Sequence, residues 1–425
     1  MRITVAKAKR SGLVLVAVLA ALAALVWWLN VRGEAPIAAQ RSGGAVDAAA
    51  IARGAYLARA GNCMGCHTAR GGAEYAGGRG IETPFGVVYA PNLTPDPETG
   101  LGAWTEAEFW RALHHGRSRD GRLLYPAFPY PSYTKVTRED SAALHAFLQS
   151  LPPVHQPNRP HELRFPYNLQ ASLAVWRALF FRAQAFQPDP GQTAEWNRGS
   201  YLVQGLGHCV ACHSSRNWLG ATNGDDELGG GLIPMQHWYA PSLTAGHEAG
   251  VGDWSTEEIG ALLATGFSPR GTAMGPMAEV VYRSTQYLSA QDVRAMAVYL
   301  KALPQASVEK ELVEPAPADL MRLGAKVYED RCAACHGDRG EGVAKAYPPL
   351  AGNGAATMES PNNLIKAVLH GGFPPATQGN PRPFGMPPFK QVLSDGEVAA
   401  VATYVRQSWG NQAAAVSALD VHRAR

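Results

Sequence analysis

The six cysteines of this chain fall into three copies of one pattern, in which two cysteines are separated by two residues and followed at once by a histidine. C-x-x-C-H is the attachment pattern of c-type heme. Two thiols about one helical turn apart can add to the two vinyl groups of one porphyrin, while the adjacent imidazole reaches the iron. We therefore predict three covalently bound hemes c, attached through Cys63 and Cys66, Cys209 and Cys212, and Cys332 and Cys335, with His67, His213 and His336 as axial ligands.

Zinc sites and disulfides are the other common uses of paired cysteines. Structural zinc needs four ligands, usually from two cysteine pairs that converge, whereas these pairs lie far apart and each has its own histidine. Disulfides suit an oxidising compartment, but they do not require a histidine after every second cysteine. Heme attachment explains the spacing, the histidine and the repetition together.

The second axial ligand of a cytochrome c iron is commonly a methionine sulfur, which stabilises the reduced iron. We expect it on a Pro- or Gly-rich loop well after each motif. Met386 is the candidate after the third motif, where Met358 is the rival. Met277 is the candidate after the second motif, and it is preferred to Met274 because it follows Gly-Pro.

The first motif has no such methionine, because residues 68–152 contain none. Phe128 stands in the loop where Met277 stands after the second motif. The first iron therefore either takes another ligand or keeps an open or water-filled site. His114, His115 and His145 are the candidate ligands, on the helices predicted before and after this loop.

Internal repeats indicate how the chain is organised. Arg-Gly-x-Tyr-Leu at 53–57 recurs at 198–202, and Tyr-Ala-Pro-x-Leu-Thr at 89–94 recurs at 239–244. Such repetition is typical of duplicated units. Capping-box patterns beginning at Thr105, Ser255 and Ser394 each open a run with apolar residues at helical spacing. No long alternating pattern predicts extended strands.

We predict a mostly α-helical protein of three tandem cytochrome c-like domains after an N-terminal transmembrane anchor helix. The helix predicted at 169–181 is expected to be buried between domains rather than to form a docking surface. The predicted parts are a cytoplasmic tip and anchor at 1–33, domain 1 at 45–152, a linker with a bridging helix at 153–192, domain 2 at 193–305, a linker at 306–317, domain 3 at 318–410 and a tail at 411–425.

The N-terminus carries an uncharged apolar run from Gly12 to Leu29, long enough as a helix to cross a bilayer. The run ends in Trp27-Trp28, which suits a membrane interface. These features favour an uncleaved anchor over a cleaved signal, whose best cleavage site is at 37–39. Four basic residues before the run predict a single pass through the bacterial inner membrane with the heme domains in the periplasm; they are Arg2, Lys7, Lys9 and Arg10.

The composition excludes several classes of function. The 425 residues include 38 basic and 35 acidic ones, a near balance that argues against a nucleic-acid binder. The sequence contains no dinucleotide fingerprint, phosphate-binding loop or hydrolase triad. We therefore expect no catalytic site of the chain's own beyond the redox chemistry of its cofactors.

The chain resembles the tri-heme cytochrome c subunit of bacterial membrane-bound dehydrogenases, of the alcohol, aldehyde, gluconate, sorbitol, fructose or molybdenum-hydroxylase types. The resemblance covers about residues 45–410 and rests on the segments 89–94, 124–130, 194–199 and 275–281. It implies electron relay from a dehydrogenase catalytic subunit, with or without a small third subunit, to ubiquinone or a terminal oxidase. The alternatives are a heme enzyme or sensor with an open first site, and a cytochrome that donates directly to an oxidase.

Overall fold

The computed structural model describes residues 2–37, 47–224, 227–245, 248, 250–306 and 312–425, and the side chains from residue 11 onward. Five predicted features lie partly or wholly outside these residues. They are the tip and anchor at 1–33, which includes residue 1, the candidate cleavage site at 37–39, the start of predicted domain 1 at 45, domain 2 at 193–305, which includes residues 225, 226, 246, 247 and 249, and the linker at 306–317.

Helices make up most of the regular secondary structure of the described residues, as predicted. In chain order they are α1 Arg2–Val31, α2 Ala48–Ala60, α3 Cys63–Cys66, α4 Glu106–His115, α5 Tyr130–Tyr133, α6 Arg138–Ser150, α7 Gln170–Phe180, α8 Ala194–Tyr201, α9 Val210–His213, α10 Thr256–Thr265, α11 Gly275–Arg283, α12 Ala290–Lys301, α13 Ala318–Arg331, α14 Ala333–His336, α15 Gly354–Thr357, α16 Asn362–His370, α17 Asp395–Gln407 and α18 Ala418–Ala424. A π-helical turn at Leu202–Leu206 extends α8, and a 3₁₀ turn covers Thr285–Tyr287.

The strands are short and antiparallel. They are β1 Gly80–Thr83, β2 Gly86–Tyr89, β3 Glu162–Leu163, β4 Gly231–Ile233, β5 Trp238–Ala240, β6 Phe267–Ser268 and β7 Gly271–Thr272. β2 pairs with both β1 and β3, with Gly80 opposite Tyr89 and Gly86 opposite Leu163. β4 pairs with β5, and β6 pairs with β7. The hairpins β1–β2 and β4–β5 lead into the two Tyr-Ala-Pro repeats.

One packing arrangement recurs three times along the chain. A helix that precedes a C-x-x-C-H motif packs against a helix near the end of the same segment: α2 on α6, α8 on α12, and α13 on α17. We call residues 48–150, 194–301 and 318–407 the first, second and third segments. Each helix pair packs on an apolar core of its own, which includes Leu57 and Leu148 in the first, Ile259 and Leu300 in the second, and Val327 and Val401 in the third.

A glycine at each crossing lets the two backbones approach closely. A Cβ added to Gly54, Gly199 or Gly324 would lie 1.9, 2.0 or 2.3 Å from the carbonyl oxygen of Ala143, Ala295 or Ala400, respectively. No real Cβ tolerates such a distance from backbone, so only glycine fits these three positions. The glycine of the repeated Arg-Gly-x-Tyr-Leu stretch therefore has a packing role that its sequence context alone did not reveal.

Helix ends follow the predicted signals. Thr105, Ser255 and Ser394 cap α4, α10 and α17 in complete capping boxes, in which the side chain of each N3 glutamate bonds back to the cap residue. Gly116 and Gly266, which are equivalent in the two repeats, end α4 and α10 with positive φ angles of 57° and 76°. The backbone geometry thus repeats along with the sequence.

The first and second segments are joined by a reciprocal set of contacts. Tyr201 of the second segment donates its hydroxyl to Asp140 of the first at 2.6 Å, and Tyr56 of the first donates to Asp292 of the second at 2.6 Å. Each aspartate is also paired with the arginine of its own segment's repeat, Arg53 or Arg198. Because equivalent residues of the two segments form the contact on each side, the segments pack like the halves of an isologous dimer.

The N-terminal helix has the length and hydropathy of a membrane span. Ser11–Val31 has a mean hydropathy of 2.6 and none of it is buried inside the protein. These properties fit either a membrane anchor or a signal sequence. The end of the helix is bonded to the first segment and to α7: Asn30 donates to the carbonyl of Ala174 at 2.9 Å, and Glu34 pairs with Arg117 at 3.1 Å.

The expected burial of the helix at 169–181 holds for only one of its faces. Leu173 and Arg177 of α7 are buried, whereas Val175 and Leu179 are 48% and 65% exposed. The prediction was wrong for the second face because apolar residues occur all around this helix. Such a pattern does not distinguish a helix enclosed by protein from one with an uncovered apolar face.

Gly54→Ala and Gly324→Ala are expected to destabilise the protein by about 3 kcal/mol or more, since each new methyl group must push two helices apart. Guanidinium unfolding followed by far-ultraviolet circular dichroism measures the loss. Gly396→Ala in α17 is the matched control, because its Cβ would meet nothing within 4 Å. Equal stability losses in all three variants would contradict the close-crossing explanation.

Candidate heme-attachment sites

Each C-x-x-C-H motif forms a short helical turn directly after the first helix of its pair. The turns are α3, α9 and α14. At each of them the two cysteines of the motif are three residues apart, which is about one helical turn. Asn62 and His208, which precede the first two motifs, have positive φ angles of 49° and 39°. This sharp change of direction lets the motif turn away from the axis of the preceding helix.

The histidine of each motif is oriented by a proline carbonyl. The Nδ1 atoms of His67, His213 and His336 lie 2.8, 2.8 and 3.0 Å from the carbonyl oxygens of Pro91, Pro241 and Pro348, respectively. A carbonyl only accepts hydrogen bonds, so Nδ1 carries the proton and Nε2 keeps its lone pair. This is the tautomer and orientation that metal-bound histidines usually have. Burial lowers the pKa of all three imidazoles, which keeps them neutral.

These prolines were not singled out as functional in the sequence. Pro91 and Pro241 belong to the repeated Tyr-Ala-Pro stretches, and Pro348 likewise lies just after a tyrosine, Tyr347. The repeated stretches were therefore the signal in the sequence that could have drawn attention to these prolines. Nothing in them indicated which backbone carbonyl would accept a hydrogen bond from the motif histidine.

A cavity of about 1870 Å³ opens beside the first motif. Cys63, Cys66 and His67 line it, and much of its wall is apolar, including Leu113, Val136, Leu144 and Leu148. The donor set and the apolar wall fit a porphyrin held through two thioethers and one imidazole. Arginines that suit the carboxylates of such a ring also line the cavity; they are Arg119, Arg122 and Arg159.

Phe128 lines this cavity, with its ring 5.4 Å from that of Tyr133. Among the described residues that line the cavity there is no methionine. This placement agrees with the alignment of Phe128 with Met277. A phenyl ring has no lone pair for iron, so Phe128 can only pack against a bound ring and exclude water.

The three histidines considered as ligands of the first iron do not line the cavity. The Nδ1 atom of His114 lies 2.7 Å from the carbonyl of Thr134, and its ring stacks on Trp110. His115 is buried, and burial together with nearby cations lowers its pKa to about 4. His145 packs against the ring of Phe109. Each of these three histidines therefore packs elsewhere in the first segment, away from the lining of the cavity.

Two other histidines, His161 and His208, do line the cavity. His161 accepts a hydrogen bond at Nδ1 from the backbone N–H of Tyr89 at 3.2 Å. Its Nε2 therefore carries the proton, which makes His161 a donor suited to a carboxylate rather than an iron ligand. His208 packs edge-on against Tyr133 at 5.6 Å. Sequence reasoning missed both residues, because they belong to the linker and to the second segment.

The two methionine candidates lie against the cores of their own segments. Met277 packs on the core cluster that Cys209 also contacts, and Met386 packs on the cluster that Cys332 contacts. Met274 points toward the third segment, with its Cε 3.5 Å from the Cβ position of Gly372. Met358 is fully buried. The ligation of Met277 and Met386 therefore stays a prediction.

The chain is similar to known cytochrome subunits over most of its length. The cytochrome c family pattern matches residues 51–152 and 321–409. The cytochrome c subunit of alcohol dehydrogenase (quinone) from Gluconacetobacter polyoxogenes is 41% identical, over 89% of this chain and 85% of that protein. The gluconate 2-dehydrogenase cytochrome c subunit of Pantoea cypripedii is 40% identical, over 88% and 89% of the two chains. A subunit of nicotinate dehydrogenase from Pseudomonas putida is 43% identical, over 91% of this chain but 32% of that longer protein.

The chain belongs to the family of cytochrome c subunits of bacterial dehydrogenases. Membership of this family implies covalently bound heme c. The resemblance seen in the sequence is thereby confirmed.

Met277→Ala in this cytochrome is expected to convert one low-spin iron to high spin and to lower its potential, because a thioether ligand stabilises the reduced iron. Electron paramagnetic resonance and a redox titration measure both changes. Met274→Ala is the neighbouring control and should leave both unchanged. A spectral change in the control alone would reverse the choice between the two methionines.

Phe128→Met is expected to raise the lowest heme potential and to convert any high-spin signal at the first site to low spin, since it supplies the missing sulfur ligand. Optical redox titration and electron paramagnetic resonance provide the measurements. Three low-spin His/Met hemes in the unmodified protein would contradict the alignment of Phe128 with Met277.

Proposed function

We propose that this chain is a membrane-anchored periplasmic tri-heme cytochrome c that relays electrons from a dehydrogenase catalytic subunit to ubiquinone or a terminal oxidase. The observation that carries the proposal is the set of three motif histidines, each held with Nδ1 on a proline carbonyl and Nε2 left for iron. Bound heme c supplies one-electron redox chemistry, and the residues of the chain hold and tune it.

Three cytochrome c domains, with the boundaries predicted from the sequence, form part of this proposal. The family pattern covers the first and third segments but not the second. The second segment is supported by its own features: the glycine crossing at Gly199 and the bond between His213 and Pro241. Both features are equivalent to those of the other two segments.

The contacts between segments favour a linear arrangement in which the second lies between the first and the third. Arg79 bonds the carbonyl of Gly65, inside the first motif, and also pairs with Glu279 of α11 at 2.7 Å. α11 carries Met277. Cys66 and Cys212 line the same cavity, so the first two motifs face a shared space. This proximity suits electron exchange between the first and second sites.

The second segment also contacts the third, through residues of β5 and α10. The backbone N–H of Tyr239 donates to Asn363 at 2.9 Å, and Thr377 donates to the carbonyl of Thr265 at 3.1 Å. The chain thus keeps all three proposed sites within one continuous structure, as an electron relay requires.

The proposed location rests on α1. Asn30 and Glu34 at its end bond to Ala174 and Arg117, and Arg177, which is buried, donates to Asn30 at 2.9 Å. Cleavage at the candidate site at 37–39 would remove Asn30 and Glu34 together with α1 and leave these partners without their contacts. The docking therefore supports an uncleaved anchor in the inner membrane with the remainder in the periplasm.

The proposed partners are a dehydrogenase catalytic subunit and, by resemblance, a small third subunit. The relatives are named as subunits of alcohol, gluconate and nicotinate dehydrogenases. A catalytic subunit of the alcohol, aldehyde, sugar-acid or molybdenum-hydroxylase type is therefore proposed for this chain, which needs no catalytic site of its own.

The absence of methionine from the described lining of the first cavity favours one alternative, a heme enzyme or sensor with an open first site. Carbon monoxide binding to the reduced protein tests it. Binding at one heme in three would support the alternative. The apolar ring of Phe128, which lines the cavity, opposes it by restricting the access of a further ligand to the iron.

The proposed function predicts three hemes per chain in the pyridine hemochrome assay with parallel protein quantitation. Replacing Cys209 and Cys212 with alanine should remove one heme and leave two, because the other two motifs attach theirs independently. Two or fewer hemes in the fully matured, unmodified protein would rule out one of the three sites. Reduction of the hemes by the substrate of the co-purified dehydrogenase subunit tests the relay itself.

A further inference from the structure

Asn363 of α16, in the third segment, binds a strand of the second segment at two points. Its side-chain amide donates to the carbonyl oxygen of Tyr239 at 2.7 Å, and its side-chain oxygen accepts from the backbone N–H of Tyr239 at 2.9 Å. Tyr239 lies in β5, which pairs with β4 along one edge. The amide therefore satisfies two backbone groups on the other edge of β5, as a neighbouring strand would.

The first half of α16 follows the same hairpin. The ammonium group of Lys366 donates to the carbonyl of Gln236 at 3.1 Å and lies 5.6 Å from the centre of the Trp238 ring. α16 itself packs on the core of the third segment through Ile365 and Leu369, both of which are fully buried. The position of β5 therefore depends on a helix that is fixed in the next segment.

β5 leads directly to the carbonyl that orients the histidine of the second motif. Pro241 follows Tyr239 by two residues, and its carbonyl oxygen lies 2.8 Å from Nδ1 of His213. Two residues of extended chain span only about 7 Å, so they cannot absorb a shift of the strand. A displacement of β5 consequently moves the carbonyl of Pro241 relative to the imidazole.

The equivalent stretch after the first motif is held in the same way. The backbone N–H of Tyr89, which is equivalent to that of Tyr239, donates to Nδ1 of His161 at 3.2 Å. His161 lies in the chain that follows the first segment, just as Asn363 lies in the chain that follows the second. Two different residue types thus accept a hydrogen bond from the same backbone donor in the two repeats. The brace is therefore a repeated feature of the architecture.

We propose that Asn363 is a positioning residue through which the third segment tunes the second heme. By holding β5, it keeps the carbonyl of Pro241 on Nδ1 of His213. A hydrogen bond at Nδ1 makes an imidazole a stronger donor through Nε2. A stronger donor favours the oxidised iron, so this bond lowers the reduction potential. The inference rests on the proposed function, since it requires heme c at the second motif.

Redox titration of the full chain with Asn363→Ala tests this role. Loss of both amide bonds loosens β5 and weakens the bond at Nδ1, so the midpoint potential of the second heme should rise while the other two stay unchanged. The potential that is missing when Cys209 and Cys212 are both replaced with alanine identifies the second heme. In the reduced protein labelled with ¹⁵N-histidine, nuclear magnetic resonance should show several-fold faster solvent exchange of the Nδ1 proton of His213.

Asn362→Ala, one position earlier in α16, is the matched control and should change neither the potential nor the exchange rate. The heme content and far-ultraviolet circular dichroism of each variant report whether the fold is kept. Three hemes with an unchanged second potential in Asn363→Ala would overturn the inference and leave the proposed function intact. Equal shifts of all three potentials, or the same shift in the control, would also overturn it, because Asn363 would then only join two segments. An empty second motif in the unmodified protein would overturn both.

Discussion

The close crossing of two helices at a glycine is the contact on which each of the three segments depends. Gly54, Gly199 and Gly324 let their helices approach a backbone carbonyl of the facing helix so closely that any side chain at the glycine position would push that carbonyl away. The helix that carries the glycine leads directly into the C-x-x-C-H turn, so the crossing fixes where the cysteines and the histidine lie. The proline carbonyl then fixes the rotation of the imidazole. A rigid backbone crossing and one hydrogen bond thus position the whole donor set.

The first two segments share more than this crossing. The reciprocal bonds of Tyr56 and Tyr201 to Asp292 and Asp140 use residues of one repeated stretch, so duplication of the segment also duplicated its interface. Asp140 is 2% exposed, and a buried carboxylate needs its hydrogen-bond donors. The third segment has Lys326 where these tyrosines stand, two residues after its glycine. It joins the second segment through different contacts, such as the bond from Tyr239 in β5 to Asn363 in α16.

Local patterns in the sequence predicted the parts of this structure that depend on local chemistry. The capping boxes at Thr105, Ser255 and Ser394 were predictable because a cap and its glutamate are three residues apart. The ligand role of His114 and His145 was a different kind of prediction, since it required the orientation of α4 and α6 relative to the cavity. Helical spacing does not contain that information. His161 and His208 reach the cavity from outside the predicted first domain, and no short pattern could have placed them there.

The docked end of α1 connects this apolar helix to the site that differs most from the others. Glu34 pairs with Arg117, which directly follows the glycine that ends α4, and α4 supplies Leu113 to the wall of the first cavity. The end of α1 and the cavity lined by His67 and Phe128 are therefore joined through one short run of residues. A site without methionine sulfur is expected to have a low potential. In the proposed relay, the segment docked to α1 therefore carries the site expected to have the lowest potential, while the two methionine candidates lie in the other two segments.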